Sequence, residues 1–181
     1  MSVPDHDAPE EIMWSGDWIT AKKRGRWEYV SRVRNIRAAV ILALDGDDVI
    51  LVEQYRVPLG RNCMELPAGL VGDLESEADE SAFAAAAREL EEETGYRAQQ
   101  WDNLGEYFSS PGMVSESFTL LKATQLDRIG NGGGVDGENI TVHRVKRGDL
   151  NRFCAEQRAM GKAMDVKLLL LLGAGFLQGK D

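Results

Sequence analysis

The chain has 181 residues, 43% of them hydrophobic and 28% charged, which suits one globular domain with a sizeable core. Its net charge of −9 disfavours a general nucleic-acid binder, because phosphate backbones attract basic surfaces. The longest apolar run, residues 168–176, is too short to span a bilayer, so no membrane association is expected, and the polar residues 1–11 lack the apolar segment of a signal peptide. Cys63 and Cys154 stand outside any metal-binding spacing and read as reduced, partly buried thiols of a cytoplasmic protein.

Residues 1–11, with Pro4, Pro9 and the acids Asp5, Asp7, Glu10 and Glu11, read as a mobile tail. Residues 12–35 are expected to form an N-terminal hairpin region: two short strands joined by the basic, Gly-containing turn 22–26. Its tryptophans, Trp18 and Trp27 among them, either pack on the core or offer an aromatic face to a nucleobase. Residues 36–181 form the main domain. The nearly continuous apolar run 36–44 predicts a buried strand, Asp45 to Asp48 a tight turn, and 49–55 the returning strand. The loop 56–60 carries Arg56, which can face an anion. Pro67 and Gly69 favour a bend that leaves backbone carbonyls free as oxygen ligands.

An acidic loop, 73–80, leads into a helix built on an Ala run and stopped at Gly95, with Phe83, Ala87 and Leu90 as its apolar stripe. Strands follow near 104–108 and 117–123, flanking the turn-rich loop 109–116. The Gly-rich stretch 130–134 has no following Lys-Ser/Thr and so is no phosphate-binding loop; it reads as a mobile loop carrying Asp136 and Glu138. A strand at 140–145, with His143 as a surface residue, and helices at 150–160 and 164–177 close the chain. In the second helix the run 168–172 is expected to be the buried face. Strands, one central helix and late helices together predict an α+β fold.

Glu89, Glu92 and Glu93 are spaced i, i+3 and i+4, which makes them neighbours on a helix surface, and each like-charged pair costs a few tenths of a kcal/mol. Glu91 adds a fourth carboxylate. Such a cluster is either a solvated acidic face or a site for hard divalent cations; magnesium takes few carboxylates and shares its shell with water and substrate phosphates. Carboxylates engaged with metal are poor proton acceptors, so a base outside this helix is expected; Glu138, Glu116 and Asp136 are the candidates.

The order Arg88-Glu89-Leu90-Glu91-Glu92-Glu93-Thr94-Gly95-Tyr96 resembles the core of the Nudix box, REUXEEXGU with U a bulky apolar residue, and Glu80 stands where the box has its earlier Glu. The box Gly expected six residues before Glu80 is replaced by Leu74, so the loop counted from Gly72 or Gly69 is longer than usual. Trp27-Glu28, Gln54-Tyr55-Arg56, Glu65-Leu66-Pro67-Ala68-Gly69, Ser110-Pro111-Gly112 and Asp136-Gly137-Glu138 together resemble the ADP-sugar pyrophosphatases, especially the ADP-ribose branch. A Pro beyond the box is associated with that branch, and Pro111 fits.

The resemblance implies an α+β Nudix fold, a mixed β-sheet sandwiched between helices. It implies that Glu89 and Glu93, helped by Glu92 and the Ala68 carbonyl, hold two or three Mg2+ ions (Mn2+ being possible), with Arg88 orienting the carboxylates. Trp18 and Trp27 would sandwich adenine, with residues from two subunits of a homodimer, and Glu28 would accept from its amino group. Arg32 and Arg56 would meet phosphates, Glu65, Pro111 and Met113 would line the substrate site, and Glu138 would act as general base. The implied reaction is hydrolysis of ADP-ribose, or a related ADP-sugar, to AMP and ribose 5-phosphate. Alternatives are a pyrophosphatase for another nucleoside diphosphate sugar or a dinucleotide, and a non-catalytic ADP-ribose-sensing Nudix domain.

Overall fold

The structure is a computed structural model that describes residues 3–72, 81–135 and 137–177. Leu74, Glu80 and Asp136 lie outside the described residues.

Eleven strands and three helices are present among the described residues. The first three strands, β1 (Glu10–Ser15), β2 (Ile19–Arg24) and β3 (Trp27–Arg32), form a separate antiparallel sheet in the order β1-β2-β3. This differs from the expected tail and two-stranded hairpin in two respects. Glu10 and Glu11 are strand residues, because the Glu10 carboxylate bonds Tyr29 and pairs with Lys22 at 2.9 Å and Arg24 at 3.3 Å across the sheet. Lys22 and Arg24 belong to β2, and the turn shrinks to Gly25 and Arg26, with Gly25 at φ +56°.

The main sheet holds β4 (Arg37–Asp45), β5 (Asp48–Arg56), β6 (Arg61–Glu65), β7 (Ala68–Val71), β8 (Tyr96–Phe108), β9 (Ser117–Arg128), β10 (Thr141–Lys146) and β11 (Ala163–Met164). Its main path runs β11-β6-β5-β4-β9-β8, with β7 also paired to β4 and β10 to β5. The β4–β9 and β6–β11 pairs are parallel and the others antiparallel, which makes the sheet mixed. β4 is central and covered on both faces, hence its near-continuous apolar run. The β4–β5 hairpin turns through Gly46, at φ +60°, and Asp47, a two-residue loop with glycine first.

One face carries helix α1 (Ala82–Glu89), and the other carries α2 (Leu150–Ala159) and α3 (Leu169–Leu177). On the α1 face, Ala85, Ala86 and Leu90 pack with Ala39, Ile41, Ile50 and Leu121; on the opposite face, Cys154, Leu168 and Leu172 pack with Val40, Leu51 and Met64. The buried stripe is only partly the expected one: Leu90 is buried and Ala87 half-buried, but Phe83 is exposed and Ala85 and Ala86 take its place in the core. A run of alanines carries no periodic signal, and their small side chains let the helix lie close to the sheet. No helix among the described residues is long and apolar enough to cross a membrane.

Two more elements differ from expectation. β8 and β9 are each much longer than the predicted strands, since their outer halves are polar and lie at the sheet edge. The predicted helix 164–177 starts only at Leu169, because Ala163 and Met164 pair with Cys63 and Met64, and Asp165 caps a short 3-10 turn, Val166–Leu168. Leu168 and Leu172 are buried, one helical turn apart, whereas Leu169 and Leu170 are exposed.

Candidate active site

Helix α1 starts at Ser81, whose Oγ accepts from the Ala84 N–H at 3.2 Å. After Glu89 the winding widens to a π-helical segment, Leu90–Thr94, which Gly95 ends in the left-handed conformation, as its sequence position predicts. Single π turns of this kind occur often at functional sites, because they re-aim side chains. Here the segment carries Glu92 and Glu93.

The Gly-rich stretch 130–134 is not the free loop expected from its composition. The N–H groups of Gly133 and Gly134 donate to the carbonyls of Glu93 (2.9 Å) and Glu92 (3.0 Å), and those of Ile129 and Gly130 to Gly95 O (2.8 and 3.1 Å). The segment thus satisfies carbonyls that the helix end leaves open. Glycine is required at this seam: a Cβ on Gly132 would lie 2.5 Å from the Glu93 carbonyl oxygen, and one on Gly95 2.4 Å from the Gly130 oxygen. This docking brings Glu138 to the carboxylate-bearing helix. The Glu138 Oε2 accepts from the Val135 N–H at 3.0 Å.

Glu89, Glu93, Ala68, Gly69, Arg56, Glu65, Arg32 and Glu138 line one cleft of about 730 Å³. Glu93 is 4% exposed, and its Oε2 accepts from the Ala68 N–H at 3.1 Å. Burial pushes the Glu93 carboxyl up to about 8 against the pull of that N–H, and the neighbouring Glu89 and Glu138 charges add to the rise. Burial likewise lifts Glu89 to about 7, although Arg88 Nη1 donates to its Oε1 at 2.9 Å. Gly69 makes room for this group, since a Cβ there would meet the Glu89 carboxyl at 2.0–2.1 Å.

Buried Glu93 and half-buried Glu89 resist ionisation although Arg56 and Arg88 offset part of the burial, and a divalent cation would supply further positive charge. No group of three or more Asp, Glu, His or Cys side chains among the described residues converges into a closed cage. A partial protein shell still fits magnesium, which keeps waters and substrate phosphates as its other ligands.

The cleft's two arginines are held in place. Arg56 donates Nε and Nη2 to the two Glu65 oxygens at 2.7 Å each, a bidentate pair, and Arg32 Nε donates to Glu116 Oε1 at 2.6 Å. Glu65, expected to line the substrate site, therefore acts there as the clamp on Arg56.

Other expected site residues lie elsewhere. Glu92 is not in the cleft lining; Arg88 Nη1 holds it at 3.4 Å. Pro111 and Met113 are exposed and outside the lining, and their loop is tied to β3 through Val30 N–H to Met113 O at 2.9 Å. Glu28 is exposed. Trp18 and Trp27 are 55% and 56% exposed and likewise outside the cleft. Trp27 pairs with Arg24 at the turn, whereas the Trp18 carbonyl accepts from Val33 N–H at the other end of the same hairpin. Six residues of extended chain, roughly 20 Å, separate the two positions, so one chain does not close an aromatic sandwich.

His143, expected to be a plain surface residue, bonds the buried Glu53 at 2.9 Å. Both cysteines are free and buried, as expected. Sequence reasoning named Gly69 as a bend but missed the room it makes for Glu89, and it missed the docking of the glycine seam and a wall of the cleft formed by Phe118, Asp165 and Lys167. Only the glycines left a readable trace, as an unusual run.

The NUDIX domain profile matches residues 34–159. The mouse ADP-sugar pyrophosphatase is 37% identical over 165 residues, covering 78% of this chain and 73% of that protein. The methanol dehydrogenase activator of Bacillus methanolicus is 37% identical over 109 residues, covering 60% of this chain; the chain spans only 56% of that relative's length. A crystallised ADP compounds hydrolase superposes with a TM-score of 0.68 at 20% identity, over 93% of this chain and 91% of the other, and shows the same fold. The carboxylate helix, its glycine seam and most of the cleft lining therefore sit in the domain that the profile covers, and the chain belongs to the Nudix family of hydrolases.

Proposed function

We propose that this chain hydrolyses the diphosphate linkage of ADP-ribose, or a related ADP-sugar, to AMP and ribose 5-phosphate. The observation that carries the reading is the pair of half-buried Glu89 and buried Glu93, lifted to about 7 and 8, beside the clamped Arg56 in one cleft. The name of the mouse relative, an ADP-sugar pyrophosphatase, supports the same substrate class.

Glu89 and Glu93, with Ala68 and Glu92 nearby, would hold two or three Mg2+ ions, or Mn2+ in their place. Such ions, when bound, neutralise the diphosphate and acidify a water. The chain's own groups do the rest. Arg56, fixed by Glu65, and Arg32, fixed by Glu116, orient phosphate oxygens. Glu138, set at the carboxylate helix by the glycine seam, takes the proton of the attacking water as the P–O–P bond breaks.

Trp18 and Trp27 would meet an adenine only across two chains, so this reading includes a homodimer with the β1-β2-β3 sheet at its interface. Residues 36–181 are the hydrolase unit in this reading, and the chain acts in the cytoplasm on a small molecule and not on nucleic acid.

The test is a panel of nucleoside diphosphate sugars and dinucleotides with Mg2+, read as phosphate released after phosphatase coupling. ADP-sugars are expected to be the best substrates. Preference for another nucleotide would move the assignment to a different diphosphate pyrophosphatase, and binding of ADP-ribose without turnover would make the chain a sensor. Glu138→Gln should lower the single-turnover rate by roughly 10²–10⁴-fold with little change in substrate affinity; full activity there and loss in Glu116→Gln would move the base to Glu116.

A further inference from the structure

Strand β10 ends the main sheet on its side: among the described residues it pairs with β5 alone. Just past it, the Arg147 N–H donates to Asp47 O at 2.9 Å, in the register of the strand pair. Opposed residues of an antiparallel pair alternate between bonded and non-bonded. Thr141, His143 and Val145 therefore turn their backbone groups to β5, and Val142, Arg144 and Lys146 turn theirs outward. No backbone group among the described residues bonds these outward groups.

This edge is one wall of a groove. Residues 142–146 look across about 420 Å³ at Asp149, Arg152, Phe153 and Glu156, which share one side of α2 at i, i+3, i+4 and i+7. Val145, Leu150 and Cys154 share a core that fixes the helix to the strand, and the His143 and Phe153 rings meet between them with centroids 5.4 Å apart. No residue lining this groove lines the cleft that holds Glu89 and Glu93.

We propose that the groove between β10 and α2 takes an extended acidic segment of a partner protein as an added strand. The inference goes beyond the hydrolase reading and does not depend on it.

A free strand edge holds an extended guest by main-chain bonds, and alternate side chains of the guest supply selectivity. Guest residues opposite Arg144 and Lys146 lie on the same face as those two side chains. Arg144 is half-exposed and held upright by Asp45 and Asp48, whereas Lys146 pairs with no carboxylate among the described residues. Opposite charges across a strand pair attract and like charges repel, so the guest carries Asp or Glu at two positions, i and i+2. The guest residue between them points towards α2 and the Phe153 ring, and is apolar. A second copy of this chain fails by the same rule. In the antiparallel register that uses all three outward residues, Arg144 would face its own counterpart, and charged edge strands resist self-pairing in this way.

The test uses the full chain and a fluorescein-labelled peptide, Thr-Val-Glu-Val-Glu-Val-Thr-amide, read by fluorescence anisotropy. Saturable binding with a Kd below about 1 mM is expected. N-methylation of either Glu, whose N–H points to β10, should weaken it by about tenfold or more, and N-methylation of the central Val, whose N–H points away, by less than about threefold. Lys146→Glu should weaken the Glu peptide by about three- to tenfold and favour the peptide with Lys in place of both Glu, with hydrolysis and melting temperature unchanged. Absence of saturable binding overturns the proposal. Equal effects of the N-methyl groups also overturn it, because attraction of charge alone has no alternation. If the peptide instead splits a dimer of the chain that Lys146→Glu also splits, the occupant is a second copy and the acidic partner falls.

Discussion

Glu53 and Glu93 are the same residue type at nearly the same burial, 7% and 4% exposed, and the protein treats them in opposite ways. Burial pushes both upward. At Glu53 three donors outweigh it: Lys162 Nζ at 2.7 Å, Asn62 Nδ2 at 2.7 Å and His143 Nε2 at 2.9 Å hold the carboxyl at about 2. At Glu93 one backbone N–H is the hydrogen bond, Glu89 and Glu138 add negative charge, and the carboxyl sits at about 8. A buried charge is tolerated when it is paired and bonded. Glu53 is complete within the fold and joins β5, β6, β10 and the approach to β11. Glu93 is left incomplete beside an open cleft, with only partial help from Arg56, and a cationic ligand there would complete it.

The largest effect expected from this contrast is on turnover. Glu93→Gln removes a charge that metal should need, and several kcal/mol of transition-state stabilisation correspond to about 10³-fold or more in kcat. The same variant should melt no lower than wild type in metal-free buffer at pH 8. Near-normal turnover at saturating Mg2+ would break the contrast.

Glu53→Gln should do the reverse, leaving turnover nearly intact and lowering stability by about 3 kcal/mol at neutral pH, the equivalent of a shift from 4.5 to about 2. The sign follows from a depressed folded pKa: this stability is present above about 4.5 and is lost as pH falls towards 2. Urea unfolding of both proteins from pH 7 to 3 reads it, and the two curves should converge at the acid end.

Glu89 and Glu93 have the opposite linkage. Their folded pKa values are raised, so metal-free stability declines as pH rises from about 4.5 through 7 and 8. Mg2+ at about 100 times its Kd should restore up to ~2.7 kcal/mol at pH 8, where each kcal/mol is worth about 2–4 °C in a domain of this size. The gain should shrink towards pH 5, where protons compete for the carboxylates. Calorimetric scans with and without Mg2+ at the two pH values provide the check.

The smallest effect tests the seam that brings Glu138 to the helix. Gly132 sits at φ +67° with its Cβ position 2.5 Å from the Glu93 carbonyl. Gly132→Ala is expected to cost about 1–3 kcal/mol in unfolding free energy, from backbone strain and displacement of the loop. Its pH–rate profile should change more than its KM, because Glu138 moves while the phosphate-facing arginines stay. An unchanged profile with lowered stability would make the seam purely structural.

Much of this was readable in the chain. The i, i+4 spacing of Glu89 and Glu93, the helix stop at Gly95, the β4–β5 hairpin through Gly46 and the family are local features, set by residue type and spacing over a few positions. The i, i+4 pattern cannot say which carboxylate is buried, so Glu92, on the same helix, was indistinguishable from Glu93 until the sheet covered one and left the other with Arg88. The alanines of α1 hid the buried face, and Phe83 misled because an apolar residue on an exposed helix side looks like a core residue in one dimension. The Trp18–Trp27 distance followed only from strand register.

The local chemistry that the sequence determines by itself consists of a carboxylate-rich helix, the turns that bound it, and strands apolar enough to build a two-sided core. Only the tertiary structure decided which charges are satisfied. Glu53 found Lys162 and His143 from segments about 100 residues away, and Glu65 took Arg56 across a strand pair. Lys167, inside an apolar stretch, became a wall of the cleft because Asp165 delayed the helix by one turn. A carboxylate's pKa depends on the donors and charges within a few ångströms, and chain folding, not chain order, chooses those neighbours.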